Sequence, residues 1–240
     1  MPHSHIVKSF DQDLNNLRSK IVDMAKAVEQ QFEKAERALI ENDLILATEV
    51  RQSDKKIDIM EQEIETVAIE MIALRSPMAD DLREIISAIK ISNALERIGD
   101  YAKNLAKRVV VLESTKDMNI NPSVLSQMIS IINIMNQDVI KAYINRSSEK
   151  AISVWTRDLA VDNLYNSFFK DMLIYMMENP ENISPATHLL FIAKNIERAG
   201  DHITNIAELI YYIIEGRALD MVRPKGDDSS ITNVDYKETL

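Results

Sequence analysis

Eight carboxylates in this sequence recur at a spacing suited to holding a cation. They form four pairs: Asp54 with Asp58, Glu96 with Asp100, Asp158 with Asp162, and Glu197 with Asp201. Helical residues four apart share one face, so each pair sets two like charges side by side, a repulsion of roughly 0.2–0.5 kcal/mol. An oxygen-only donor set suits magnesium, manganese or iron, and zinc is compatible with it. The competing account is a solvated acidic face, the ordinary meaning of one such pair in a chain of net charge −10. At roughly 100° per residue, Glu96 and Asp100 fall nearly opposite the apolar seam of their segment, and Asp54 and Asp58 fall off theirs. The acids are therefore expected as surface groups, not as a buried catalytic pair. His202 follows Asp201 and can add a nitrogen ligand, while Tyr101 holds the matching place in the other half. His3 and His5 are expected as mobile terminal residues and His188 as structural.

Gly99 and Gly200 stand one residue before Asp100 and Asp201. An interior helical glycine is about 1 kcal/mol less favourable than alanine, and the chain has only 4 glycines. Close helix–helix approach accounts for them, or else backbone access beside a bound group.

The elements that must position these residues are helical. With 4 Gly and 6 Pro in 240 residues, little remains for the turns of an all-β or doubly wound protein. Proline and capping signals mark six segments, roughly 5–41, 43–75, 77–112, 122–144, 148–178 and 185–215. Pro77, Pro122 and Pro185 open segments, Pro180 closes one, and Asn42-Asp43 and the serines at 147–148 mark the other breaks. Ile91, Leu95, Ile98, Ala102, Leu105, Val109 and Leu112 step by four and three, as do Ile192, Ile196, Ala199, Ile203, Ile206, Ile210 and Ile213. Such seams pack long helices at shallow angles.

The chain also repeats itself. Residues 94–107 read ALERIGDYAKNLAK and 195–208 read NIERAGDHITNIAE, with six of fourteen positions identical. Asp54-x-x-x-Asp58 matches Asp158-x-x-x-Asp162 more weakly, at an offset of 104 residues against 101 for the longer match. The expected architecture is all-α, two tandem pseudo-symmetric three-helix bundles over 1–112 and 122–217, joined by a linker at 113–121 and followed by a disordered tail at 218–240. Folding the second and third segments about Ser76-Pro77 brings Asp54/Asp58 to the height of Glu96/Asp100 within roughly 3 Å. In the second half the counts from the turn differ by about four residues, or roughly 6 Å.

Several function classes are excluded. The absence of cysteine removes disulfides, thiol catalysis and cysteine-held metals, and suits a reducing compartment. Net negative charge and 5% aromatics argue against nucleic acid and against an anionic membrane as partner. Residues 1–5 lack the basic and apolar runs of a secretory signal, and no stretch is apolar enough to span a bilayer. Phosphate-loop, dinucleotide, H-E-x-x-H and G-x-S-x-G patterns are missing, as is the Glu-x-x-His of di-iron bundles.

Leu95-Glu96-Arg97-Ile98-Gly99-Asp100, preceded by Leu82-Arg83-Glu84-Ile85-Ile86-Ser87-Ala88-Ile89-Lys90, resembles the first repeat motif of the PhoU family. Ile196-Glu197-Arg198-Ala199-Gly200-Asp201-His202, continuing Thr204-Asn205-Ile206-Ala207-Glu208, resembles the second. The resemblance implies a non-catalytic cytoplasmic regulator of phosphate uptake and of the phosphate-starvation response, often a homodimer. Its implied partners are the cytoplasmic components of the phosphate ABC transporter and a membrane sensor histidine kinase, and it implies that the starvation response is held off when phosphate is ample and that transport is limited. It also implies multinuclear metal clusters at E(D)-x-x-x-D motifs. Carried over, these are Asp54/Asp58 with Glu96/Asp100 and Asp158/Asp162 with Glu197/Asp201, and the bare D-x-x-x-D at Asp54 matches less closely. A helical metal-buffering protein that works alone is the alternative; continuous coiled coil is disfavoured by the proline-bounded segments, and metal-assisted hydrolysis would need an open coordination position.

Overall fold

A computed structural model describes residues 2–113 and 123–221 together with Gly226 and Thr232, with side chains from Phe10 onward. Six α-helices occur among the described residues: α1 Pro2–Glu41, α2 Leu44–Arg75, α3 Asp80–Leu112, α4 Ser123–Ile144, α5 Ser148–Glu178 and α6 Ile183–Glu215. A 3₁₀ turn, Pro180–Asn182, leads into α6. His3 and His5 fall within α1, and their side chains lie outside the described set, as does most of the expected linker and tail.

Local chemistry sets these boundaries. Asp43 caps α2 by accepting from the Leu46 N–H at 2.9 Å, and Ser147 caps α5 by accepting from Lys150 N–H at 3.3 Å. Helix α2 ends where Ser76 turns left-handed at φ 47°, and α6 ends at Gly216 with φ 72°. Two expected starts move. Helix α3 begins at Asp80, not at Pro77, because two carboxylates in its first turn favour the positive end of the helix. Helix α6 begins at Ile183, which leaves Pro185 within the first turn, where no N–H is needed.

The first bundle packs α1, α2 and α3 pairwise, the second α4, α5 and α6, and the bundles join through α3 against α6 and α1 against α4. Every residue of the α6 seam is buried, and the α3 seam is buried from Ile91 to Val109, with Leu112 half-buried. Both seams belong to one apolar core that runs through the two bundles. Helices α3 and α6 run antiparallel: the Arg83 guanidinium at the start of α3 lies 5.5 Å from the Tyr212 ring near the end of α6, and Arg108 lies 4.2 Å from the Phe191 ring. Between these contacts Tyr101 meets His202, ring centroids 5.7 Å apart. These two occupy the same place in the two repeats, so the pseudo-two-fold axis relating the bundles passes through their contact.

Candidate metal centre

Four of the eight acids are not surface groups, which corrects the expectation from the helical wheel. Asp54 is 3% exposed, Asp158 1%, Asp162 1% and Glu197 2%, while Asp58, Glu96, Asp100 and Asp201 are half-buried. The wheel assigned one apolar seam per helix. In the bundle each helix has at least two neighbours, so positions off the first seam face the second neighbour.

In the first unit, α2 and α3 bring the acids to one height as the turn count predicts. The Lys103 ammonium bridges the two helices, donating to Asp54 on α2 and, at 3.0 Å, to Asp100 on its own helix. Those carboxylates raise the Lys103 pKa by hydrogen bonding, against a smaller lowering by burial. Gln31 of α1 adds an amide N–H to Asp54 Oδ1 at 3.3 Å. Beside this arrangement stands a group of acids in which Arg97 pairs with Glu96 at 3.4 Å and with Asp100 at 3.6 Å. Burial first, then Asp100, Asp58 and Glu61, raise the Glu96 carboxyl pKa, with Arg97 opposing them. Glu61 is itself raised by burial and by Glu65, while Asn93 lowers it through a hydrogen bond.

In the second unit, α5 lays Asp158 over Gly200 of α6 so closely that a Cβ there would collide with Asp158 Oδ1. Glu197 pairs with Lys194 at 2.9 Å, and the same ammonium lies 4.9 Å from the Tyr165 ring centroid. Among the described residues each cluster holds a lysine, Lys103 three residues after Asp100 and Lys194 three before Glu197. Charge pairs at i,i+3 are the sequence signal that would have located both lysines.

Gly99 and Gly200 serve close approach. A Cβ at Gly99 would stand 3.0 Å from both Gln31 Oε1 and Ile57 Cδ1, and one at Gly200 would also meet Ile132 Cδ1 at 3.2 Å. His202 Nε2 lies 3.4 Å from the Tyr101 hydroxyl, and burial lowers the imidazole pKa, with Asp201 opposing and Arg97 reinforcing. A cleft of about 520 Å³ opens beside this contact, lined in part by Lys90, Asn93, His202, Asn205 and Glu208. Glu208 there accepts from the Trp155 indole N–H at 2.8 Å. His188 is structural, as expected: it is half-buried, and its Nδ1 accepts from Arg108 at 3.0 Å.

The donor chemistry fits a hard or borderline cation, since all eight groups are carboxylates on facing helices and Glu96 is already strained by its neighbours. Among the described residues, no three Asp, Glu or His stand grouped closely enough to hold a metal ion. What the first cluster holds is an ammonium.

The duplicated geometry has a counterpart in known proteins. The PhoU domain matches the sequence twice, over residues 21–109 and 125–210. The chain belongs to the PhoU family. PhoU proteins of similar sequence span most of the chain. A phosphate-specific transport system accessory protein PhoU homolog from Rhizobium meliloti (strain 1021) is 44% identical over 230 residues, covering 96% of this chain and 97% of that protein. One from Zymomonas mobilis is 45% identical over 224 residues, covering 93% and 94%. Among solved structures, PhoU from Pseudomonas aeruginosa superposes with a TM-score of 0.84 at 35% identity, covering 87% of this chain and all 100% of that one. The phosphate transport system regulatory protein PhoU from Streptococcus pneumoniae gives 0.82 at 30% identity, covering 88% and 100%. The all-α architecture of paired three-helix bundles is thus that of PhoU structures.

Proposed function

We propose that this PhoU chain is a non-catalytic regulator of phosphate uptake and of the phosphate-starvation response. It works as a cytoplasmic adaptor between the phosphate ABC transporter and a sensor histidine kinase, restraining the response when phosphate is ample. The observation that carries this reading is full-length similarity, at 44% identity, to a protein named for the phosphate-specific transport system. A rigid two-bundle body suits an adaptor, because a partner's change of state on one face can bias a second partner on another. No helix among the described residues is long and apolar enough to cross a membrane, so attachment would be through those partners.

Asp54, Asp58, Glu96 and Asp100 would hold metal in the first unit, and Asp158, Asp162, Glu197 and Asp201 in the second, with His202 as a further ligand. A bound iron, zinc, manganese or magnesium ion would supply charge neutralisation on an acidic face. The protein's own groups do the rest: the lysines hold the carboxylates together, and a cation would take over the charge that Lys103 now provides.

Deleting the gene and restoring it as wild type or as Glu96→Gln/Glu197→Gln tests the regulatory reading. Derepression of a starvation reporter at ample phosphate on deletion supports it; an unchanged reporter with unchanged phosphate uptake overturns it. The carboxylate clusters favour a second reading, a metal buffer that acts alone. Capture of transporter and kinase components by the purified protein separates the two, since a buffer needs neither.

A further inference from the structure

Helices α3 and α6 present a face to solvent on which the charge of the chain as a whole is reversed. On α3 a row of non-buried residues steps by three and four from Arg83 through Lys90, Arg97, Tyr101 and Arg108 to Val111, and it contains no Asp or Glu. On α6 a matching row runs from Ser184 through Phe191, Arg198, His202 and Leu209 to Tyr212, again without an acid. The rows meet where Arg83 touches Tyr212, Tyr101 touches His202 and Arg108 touches Phe191. Arg83, Lys90, Arg97, Arg108 and Arg198 thus share one two-helix face in a chain of net charge −10.

Acids border this face and are engaged there. Asp80 pairs with Arg83, Glu96 and Asp100 pair with Arg97, and Glu208 accepts from the Trp155 indole. Among the described residues, Lys90, Arg108 and Arg198 have no carboxylate partner. Arg108 is half-buried, lies over a Phe191 ring that is 50% exposed, and donates to His188 Nδ1. Burial lowers its pKa with no acid opposing. A guanidinium has five N–H donors in a fork that fits a carboxylate. Withdrawing one from water without an anion is unfavourable, and an arriving carboxylate relieves it.

Apolar groups stand among these cations. Ile86, Val111 and Tyr212 are exposed, and the cleft of about 520 Å³ beside Lys90 is lined in part by Ala94 and Leu209. Arginine and aromatic residues together are the composition of a protein interface. A bare polyanion would use the charges and leave the apolar groups wet. Two antiparallel helices leave a groove that a third can fill. From Lys90 to Arg108 the groove runs roughly 27 Å, about five helical turns.

We propose that the outer face of α3 and α6 docks an acidic amphipathic helix of a partner protein. Its carboxylates meet Lys90, Arg108 and Arg198, and its apolar side chains cover Ile86, Tyr212 and the cleft. The inference concerns what this face binds and stands apart from the phosphate reading, which the reporter experiment tests without it.

The probe is a fluorescein-labelled synthetic helix of about 20 residues, built from Glu, Ala and Leu and titrated into full-length protein at low salt. The expected result is binding that weakens about tenfold in Arg108→Glu/Arg198→Glu and returns in that variant with a peptide carrying Lys in place of Glu. Circular dichroism checks the variant's fold; should it change, Arg108→Gln/Arg198→Gln repeats the comparison. Absence of binding overturns the proposal, and so does equal binding of a peptide with Gln in place of Glu, or an affinity that the substitutions leave unchanged. Phosphatidylglycerol vesicles or a single-stranded oligonucleotide that bind the same face more tightly overturn it in favour of a membrane or a nucleic acid. Self-association without peptide, abolished by the same substitutions in sedimentation, overturns it in favour of a second copy.

Discussion

A methyl group added at Gly200 would collide with the Asp158 carboxylate and crowd Ile132, whereas one at Gly99 would press on the ends of two side chains, Gln31 and Ile57. Alanine gains about 1 kcal/mol over glycine in a helix, and overpacking a core commonly costs about 1–3 kcal/mol. Gly99→Ala should therefore change stability by less than about 1 kcal/mol, while Gly200→Ala should lose about 2 kcal/mol in urea denaturation. Glu96 supplies a second prediction. Its pKa is raised, so the folded state takes up its proton more readily than the unfolded chain, and the ionised form is destabilising near neutral pH. In chelator at pH 7, Glu96→Gln should be the more stable protein by a few tenths of a kcal/mol, roughly one like-charge contact. The gap should close as pH falls through the raised value to the usual one near 4.5. If a cation occupies the cluster, the order reverses on adding it, which a thermal melt with and without metal reads directly.

At the scale of elements, Glu84 is the joint between the bundles. It is 4% exposed on α3 and accepts from Arg18 of α1 at 2.5 and 2.8 Å and from Arg146 of the α4–α5 turn at 2.8 Å. Burial pushes its carboxyl up, and the two guanidinium groups outweigh that and leave the pKa lowered. Its contribution is therefore fully present above about pH 4.5 and is lost as pH falls through the lower folded value. His188, between α3 and α6, carries the opposite kind of group: burial and Arg108 lower its pKa, so the fold favours the neutral ring. Stability from this source is intact above the ordinary value of 6.5 and declines as pH falls below it. Melting temperature should thus fall in two stages on acidification. His188→Gln should make the first shallower, between about pH 7 and 5, and leave the part that the buried His202 contributes. Glu84→Ala should shrink the second, leaving what Asp138 contributes, and cost about 2 kcal/mol at pH 7, with both arginines partly solvated.

For the whole molecule, the decisive feature is that two repeated units share one core. Helices α3 and α6 pack along their length about the Tyr101–His202 contact, and α1 packs on α4. The Asn136 carboxamide of α4 donates a buried hydrogen bond to the Ala25 carbonyl of α1 at 3.2 Å. Neither unit can unfold without exposing the apolar face it gives the other. Trp155, the one tryptophan, sits in the second bundle and reports on that bundle alone. Its fluorescence and far-UV circular dichroism should therefore trace the same denaturation curve. An earlier fluorescence transition would show the second bundle melting first and would sink the shared-core argument.

Proline and capping signals marked the six helical segments and periodicity identified the buried seams of α3 and α6, because an apolar residue every three or four positions is a property of one segment and needs no partner to be read. The repeat of Glu-Arg-x-Gly-Asp likewise revealed a duplicated unit and located four of the acids, and the weaker Asp-x-x-x-Asp repeat located the other four. Turn counting even placed Asp54 and Asp58 level with Glu96 and Asp100, because helical rise is constant. Burial was not legible, since it depends on how many neighbours a helix has. The three-helix arrangement enclosed Asp54, Asp158, Asp162 and Glu197, which a single-seam wheel assigns to solvent. The Arg18–Glu84–Arg146 joint was equally hidden, because it unites residues more than 60 apart in sequence whose charges carry no local period. The sequence determined which side chains recur and on which helices; the tertiary structure alone decided which of them lose their water, and with it which partners they must have.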